Sequence, residues 1–389
     1  MIHLRVPSRP TPFRGLLPVL LLSLQAWTTA ATRLSADDSL EQELRAMVEE
    51  HVRPLIEKRG AAALAVGGFT AATSVKGSAG PEIQMKLSSL LQAAGLTVDP
   101  DAYRYELSGN YLAYNDPDSG LYGVKLIGRL IDAESGVTLG EFPRFVFGPE
   151  SVPRLLGLTV STKGSQDPQV QSVAFRQASQ RPTTYLVGTQ VNPSPTSPFA
   201  VELLLTDRGR RSPVPIQTDD NGRPFAQLPQ DQVYAVRLLN HADYDAAVQL
   251  TIDGINVFHF SEQQPAPKYW VVPKKQGSQP GEVLVRGWDK SADRCVEFKV
   301  VDLPASAAAR VKLDVNHGIG LITATFAACW EHEQDRPRSE GRTRATGFGN
   351  ELLDPKTLVK RHVGQVRDVI TLRYQRAESS STPVIWQAR

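Results

Sequence analysis

The sequence predicts an α+β protein: an N-terminal α/β domain with an antiparallel sheet, followed by an all-β, sandwich-like domain. Three observations carry that expectation. Between residues 39 and 94, apolar side chains recur at helical spacing on either side of a short apolar run. Between 105 and 146, three strand-like runs are separated by turns rich in Asn, Asp, Pro and Gly. From 199 to 332 short strand-like runs succeed one another with frequent turns, the spacing of a sandwich or barrel. A chain of 389 residues, 41% of them apolar, can fill two cores.

Ahead of these elements, residues 1–31 carry Arg5, Arg9 and Arg14, then the apolar run Gly15–Trp27 and a small-residue exit at Ala30 and Ala31. Basic start, short apolar stretch and small-residue exit read as a secretory signal peptide, so the expected location is periplasmic or secreted. The alternative is an uncleaved N-terminal anchor. No later segment approaches the ~20 continuous apolar residues of a membrane helix, so no transmembrane span is expected after cleavage. The formal net charge is +2, and removal of the three leader arginines brings it to −1. A near-neutral chain gives no electrostatic reason to expect nucleic acid as a partner.

The α/β domain is expected at 36–160. Asp38 or Ser39 suits an N-cap, and Leu40, Leu44, Met47, Val48 and Val52 follow at helical spacing. Pro54 is expected to bend or end this helix and Gly60 to stop it. Ala62–Phe69 would suit a buried strand. A second helix starts at Pro81, turns Ile83, Leu87, Leu90 and Leu91 to one face, and stops at Gly95. Residues 161–198, rich in Ser, Thr, Gln and Pro, read as a linker. The sandwich is expected at 199–332 and a polar loop at 333–353. Within 354–376, Val359, Val363 and Val366 suggest a helical turn before a strand at Val369–Tyr374, and 377–389 reads as a frayed tail.

"LAVGGF", the helix Ile83–Ala94, "YELSGNYLAY" and "VKLIGRLIDAESGVTLGEF" together resemble the periplasmic domain shared by curli-secretion-channel proteins and outer-membrane activators of penicillin-binding proteins. The likeness covers about residues 40–150 and implies an assembly and contact module without catalytic residues. Members of that family are mostly lipoproteins, and the leader here has no cysteine at its exit to carry a lipid. Further on, "LLNHADYDAAVQLTIDGINVFHFSE", "VRGWDKSADRCVEFKV", "GLITATFAACW" and "RATGFGNE" resemble a sequence type found among exported bacterial proteins, a match that implies no function.

The densest collection of polar residues is Leu238–Phe260, with His241, His259, Asp243, Asp245 and Asp253. Read as a three-stranded meander, with Asn240 opposite Asp245 and Ile252 opposite Ile255, it places His259 opposite Val248. Val248 lies roughly 10 Å along the strand from Asp245 at about 3.3 Å per residue, too far for shared metal ligation. The aspartates then serve turns, Asp253–Gly254 being a two-residue hairpin signal. Asn115–Gly120 and Thr218–Pro229 likewise read as hairpin turns, the second with a turn chemistry similar to transthyretin-like accessory sandwiches. Trp330–Asp335 contains His-Glu without the second histidine of a metalloprotease helix.

No catalytic, cofactor-binding or metal-binding residue is therefore assigned, and no cofactor is expected. Arg336, Arg338, Arg342 and Arg344 form a basic loop, by default a solvated one and otherwise a site for an anion or an acidic partner. Trp270, Trp288 and Trp330 suit core packing, or sugar stacking if they share an exposed face. Cys295 and Cys329 are compatible with one disulfide, if the strands that carry them are antiparallel neighbours, or with two unpaired thiols. The function expected is that of an exported, non-enzymatic accessory or binding protein of the bacterial cell envelope, with envelope proteins or cell-wall polymers as partners. The alternative is a hydrolase or carbohydrate-active enzyme whose site is assembled from sequence-distant residues.

Overall fold

The computed structural model describes residues 39–337, 359 and 361–376, apart from 61, 73–74, 76, 78, 264–265, 292–293 and 314–319. The leader at 1–31, the polar loop from 338 on, residues 354–358 and the tail lie outside the described residues.

The first helical segment runs through α1 (Ser39–Met47), a π turn (Val48–Val52) and α2 (Arg53–Arg59). Pro54 does not end it, and Val52 and Ile56 on either side of it are both buried. Proline has no N–H for the Glu50 carbonyl, and the chain widens just ahead of it, Arg53 N–H donating to the Val48 carbonyl. Gly60, at φ 88°, closes the segment in a conformation that favours glycine. Then come β1 (Leu64–Ala71), α3 (Gly80–Ala93), β2 (Tyr105–Asn115), β3 (Tyr122–Asp132) and β4 (Thr138–Val146). The four strands form one sheet in the order β1-β2-β3-β4, parallel at β1/β2 and antiparallel elsewhere. Leu64, Leu107, Tyr111, Leu126 and Phe142 lie in one buried cluster with Leu40, Leu44, Ile83 and Leu87 of the helices. The helix comes close here: a Cβ at Gly128 would stand 2.6 Å from Met47 Sδ.

The stretch expected as a linker is folded. After α4 (Val152–Leu156), β5 (Val160–Ser161) pairs with the far C-terminal strand, and α5 (Pro168–Gln180) begins at Asp167, whose carboxylate accepts the Gln169 N–H at 2.8 Å. Helix α5 buries Gln171, Ser172 and Phe175, while Val170 and Val173 are exposed. Its buried face is largely polar, so the apolar period that announces a helix is missing. Strands β6 (Tyr185–Val187) and β7 (Gln190–Asn192) already belong to the next sheet.

The remaining strands are β8 (Phe199–Asp207), β9 (Arg210–Pro213), β10 (Ile216–Thr218), β11 (Pro224–Leu228), β12 (Val233–Asn240), β13 (Asp245–Ile252) and β14 (Ile255–Asn256). They continue with β15 (Trp270–Val272), β16 (Gly281–Val285), β17 (Gly287–Ser291), β18 (Arg294–Lys299), β19 (Leu321–Trp330) and β20 (His362–Arg376), with a short helix α6 (Ala307–Arg310) before β19. They form two large, mostly antiparallel sheets. One follows β10-β11-β20-β19-β13-β14 and the other β17-β18-β12-β8-β7-β6. Alternate residues of both, including Val201, Leu203, Val236, Leu250, Ile322 and Leu372, meet in a second buried cluster. Phe199 of one sheet stacks on Phe326 of the other at 4.8 Å between centroids.

Three expectations are corrected here. Strands β12 and β13 are not a hairpin: they lie in different sheets, and the 240–245 segment is the corner between them. Asn240, fully buried, holds that corner, donating to the Tyr244 carbonyl at 2.9 Å and accepting the Ala242 N–H at 2.9 Å. His259 is not opposite Val248, which pairs with Trp270 and Phe326. Nor is there a helical turn at 363–366, where Val363 pairs with Cys329 and Val366 with Ala327 in β20. The register shift between those pairs inserts an extra residue, so the valines stand three apart and mimic a helical period. By contrast, the Asp253–Gly254 hairpin is present, with φ of 53° and 78° and Ile252 opposite Ile255.

Strand β19 is buried along its whole length, on both faces. Arg154 of α4 donates to Gln249 of β13 at 2.8 Å, and Thr371 Oγ1 of β20 donates to the Leu158 carbonyl at 3.0 Å. Polar contacts thus tie the N-terminal elements to the outer face of this sheet.

Candidate binding groove

The residues that drew attention in the sequence are dispersed. His241, Asp243 and His259 are exposed, Asp245 accepts the Lys274 N–H at 3.0 Å, and Asp253 accepts from Gly320 N at 2.6 Å and Tyr374 Oη at 2.6 Å. Among the described residues, no three His, Cys, Asp or Glu side chains converge as a metal-binding group. In the Asn115–Gly120 turn, Asp116 accepts the Ser119 N–H at 3.1 Å, and in the next hairpin Asp219 Oδ1 accepts N–H bonds from Asn221 and Arg223, each at 2.9 Å. These carboxylates are occupied with turn geometry.

The two cysteines are both free and belong to different sheets. Cys295, on β18, is exposed opposite Asp289; Cys329, on β19, is buried opposite Asp245 and Val363. The antiparallel neighbourhood that a disulfide between them requires does not exist. Burial pushes the Cys329 thiol up to about 12, which favours its protonated form at neutral pH. The tryptophans do not share a face either. Trp330 is buried and stacks on His362 at 5.9 Å with the Arg336 guanidinium 5.3 Å from its ring, and Trp270 packs on Phe258 at 5.0 Å. Arg338, Arg342 and Arg344 lie outside the described residues.

Trp288 is the exception. It is half-buried on β17, edge-on to Phe260 at 5.3 Å and to Phe298 at 5.4 Å, and lines a cavity of about 430 Å³ with Val233, Val296 and Val301. Lys290, Lys299 and Arg310 rim this cavity, with Glu297 as its acid. A second hollow of about 560 Å³ shares Lys290, Val296 and Glu297 with the first and adds Arg211, Arg286, Arg294 and Glu262. The two adjoin at these shared residues of the β17–β18 hairpin and are together called the groove, whose aromatic floor lies in the first.

Six cations face two acids there. Glu262 is shared between Arg294 at 3.2 Å and Lys290 at 3.9 Å, and Lys299 pairs with Asp231 at 2.8 Å. Arg211, Arg286 and Arg310 have no acidic partner within 4.0 Å among the described residues. The near-zero net charge of the chain concealed this concentration. A local signal was present, since Arg286, Lys290, Arg294 and Lys299 all fall around Trp288 in "RGWDKSADRCVEFK". Arg211 and Arg310 join only through the fold.

No protein-family model and no curated protein matches the chain. Among solved structures, TolB from Acinetobacter baumannii shows 12% identity over 81% of this chain and 97% of that chain, with a TM-score of 0.13. A likeness of that size carries no argument about fold or function.

Proposed function

We propose that the protein is an exported, non-enzymatic binding module of the bacterial cell envelope, and that its ligand is an anionic, sugar-containing wall polymer. The observation that carries this reading is the groove: an aromatic floor at Trp288 and Phe260 beneath a rim on which cations outnumber acids. A pyranose ring can lie on the indole face while carboxylate or phosphate groups along the polymer meet the surrounding cations. Export rests on the basic-apolar-small pattern of residues 1–31. The resemblance of residues 40–150 to an envelope contact domain supports the same compartment.

The test is co-sedimentation of the full chain with purified cell-wall polymer across a salt series. Binding is expected to weaken steeply between about 50 and 300 mM salt, as the screening length shortens. Lys290→Glu and Arg294→Glu together, or Trp288→Ala alone, are expected to weaken it about tenfold, roughly 1.4 kcal/mol. Binding that ignores both salt and these substitutions, or capture of an acidic protein segment in place of the polymer, overturns the assignment. Recovery of Met1 by N-terminal sequencing of envelope-fraction protein overturns cleavage of the leader.

A further inference from the structure

A further cavity, of about 170 Å³, lies where the loop before β8, the corner at Tyr244 and the bulge of β20 meet. Its lining is polar: Ser161, Lys163, Ser194, Thr196, Arg367 and Asp368, against the rings of Phe199 and Tyr244. It shares no residue with the Trp288 groove.

The backbone is arranged to present these groups. Between the pairs Ala327–Val366 and Phe326–Asp368 the register shifts, making Arg367 the extra residue of a β-bulge. Bulges re-aim side chains and recur beside functional sites. The Arg367 carbonyl accepts N–H bonds from Thr162 at 2.7 Å and Lys163 at 3.1 Å, locking the 162–165 turn to the bulge. Lys163, an exposed residue at the mouth of the cavity, sits at φ 53°, a left-handed conformation uncommon for a lysine. The Arg367 guanidinium lies 4.8 Å from the centre of the Tyr244 ring.

Two buried polar atoms are unanswered. Asp368 is 2% exposed; burial raises its pKa, its Oδ2 accepts from Ser197 Oγ at 2.6 Å and the Ser161 hydroxyl lies beside the carboxyl, but no donor meets its Oδ1 in hydrogen-bond geometry. Ser194 Oγ is likewise buried without one. Buried carboxylate oxygens and hydroxyls are almost always paired, because leaving them unpaired forfeits their hydration. Both residues line this cavity.

We propose that this cavity binds a small zwitterion, a free amino acid, its ammonium on Asp368 Oδ1 and Ser194 Oγ and its carboxylate toward Lys163. Two constraints select that class. The acceptor at Asp368 asks for a donor, and a simple anion offers none while meeting a carboxylate. A simple cation meets Lys163 and Arg367, which both act electrostatically on Asp368.

The experiment is calorimetric titration of the full chain with glycine, L-alanine and D-alanine, alongside acetate, methylamine and glucose. At least one amino acid is expected to bind about tenfold or more tightly than acetate or methylamine. Ser194→Ala and Lys163→Gln are each expected to weaken it about fivefold or more with the circular dichroism spectrum unchanged. Asp368→Asn is expected to abolish binding, and if that variant fails to fold the other two carry the test. Absence of heat with every amino acid at millimolar concentration, equal affinity for acetate, binding of glucose instead, or indifference to both substitutions overturns the proposal and leaves a water-filled cavity. None of these outcomes touches the groove, whose substitutions lie elsewhere.

Discussion

Asp253 shows how much one side chain carries. Its left-handed φ of 53° makes the turn, and its carboxylate ties that turn to Gly320, Leu321 and Tyr374. Alanine would lose both the turn preference and the acceptor, and is expected to cost about 3 kcal/mol in urea unfolding, with asparagine costing less. The residue is half-buried by area, yet desolvation of its carboxyl outweighs those hydrogen bonds and raises its pKa from 3.8. The folded state therefore holds this proton more tightly than the unfolded chain. The stability it contributes is fully present below 3.8 and is lost as pH rises through the folded-state value. Accordingly, the stability difference between wild type and Asp253→Asn is expected to shift toward wild type as pH falls from neutral toward 3.8; a flat difference would contradict the raised pKa. Cysteine chemistry divides as sharply. Alkylation of the native, unreduced protein is expected to label exposed Cys295 and spare Cys329, which reacts only after unfolding, as mass spectrometry of the two peptides would show.

Helix α5 exemplifies an element held by context. Its apolar valines are exposed while Phe175 alone anchors it deeply, beside Gln171 and Ser172. Ser172 Oγ accepts the Tyr122 N–H at 3.1 Å, which docks the helix on the end of β3. Limited proteolysis is therefore expected to spare 168–180. Phe175→Ala is expected to cost about 3–5 kcal/mol and to open that segment to cleavage. Preferential cutting of the wild type within α5 would show that the helix is not docked. Strand β20 is the complementary case. Its Ile370 and Leu372 belong to the sandwich cluster and its Val369 to the N-terminal one, so a single strand serves both cores.

Across the whole molecule, the two cores lie in one compact unit from Ala36 onward. Arg154 is the principal polar tie, 2.8 Å from Glu82 of α3 and 2.8 Å from Gln249 of β13, with its side chain 3% exposed. A buried pair is a poor source of net stability, but removing one partner strands the other. Arg154→Ala is expected to cost about 3 kcal/mol and to split thermal unfolding into two transitions where the wild type shows one, by calorimetry. Two transitions in the wild type would mean that the cores melt independently.

The sequence by itself determined the α+β class, the element order of the N-terminal unit, and the turns at Gly60, Gly95, Asp116, Asp219 and Asp253. Each depends on a few adjacent residues, through left-handed glycines or carboxylates bonding to their own turn, and such preferences act before any long-range contact forms. Only the tertiary structure decided that β12 and β13 part into different sheets, that β19 is covered on both faces, and that the cysteines never meet. Strand partnership depends on which surfaces remain to be buried once the rest of the chain has packed, and the local pattern does not encode it. The candidate sites follow the same rule. Trp288 with its flanking cations was legible within one hairpin, but Arg211 and Arg310 reach it through separate elements, and Asp368 meets Lys163 and Ser194 only because β5 and the loop before β8 close against the bulge of β20.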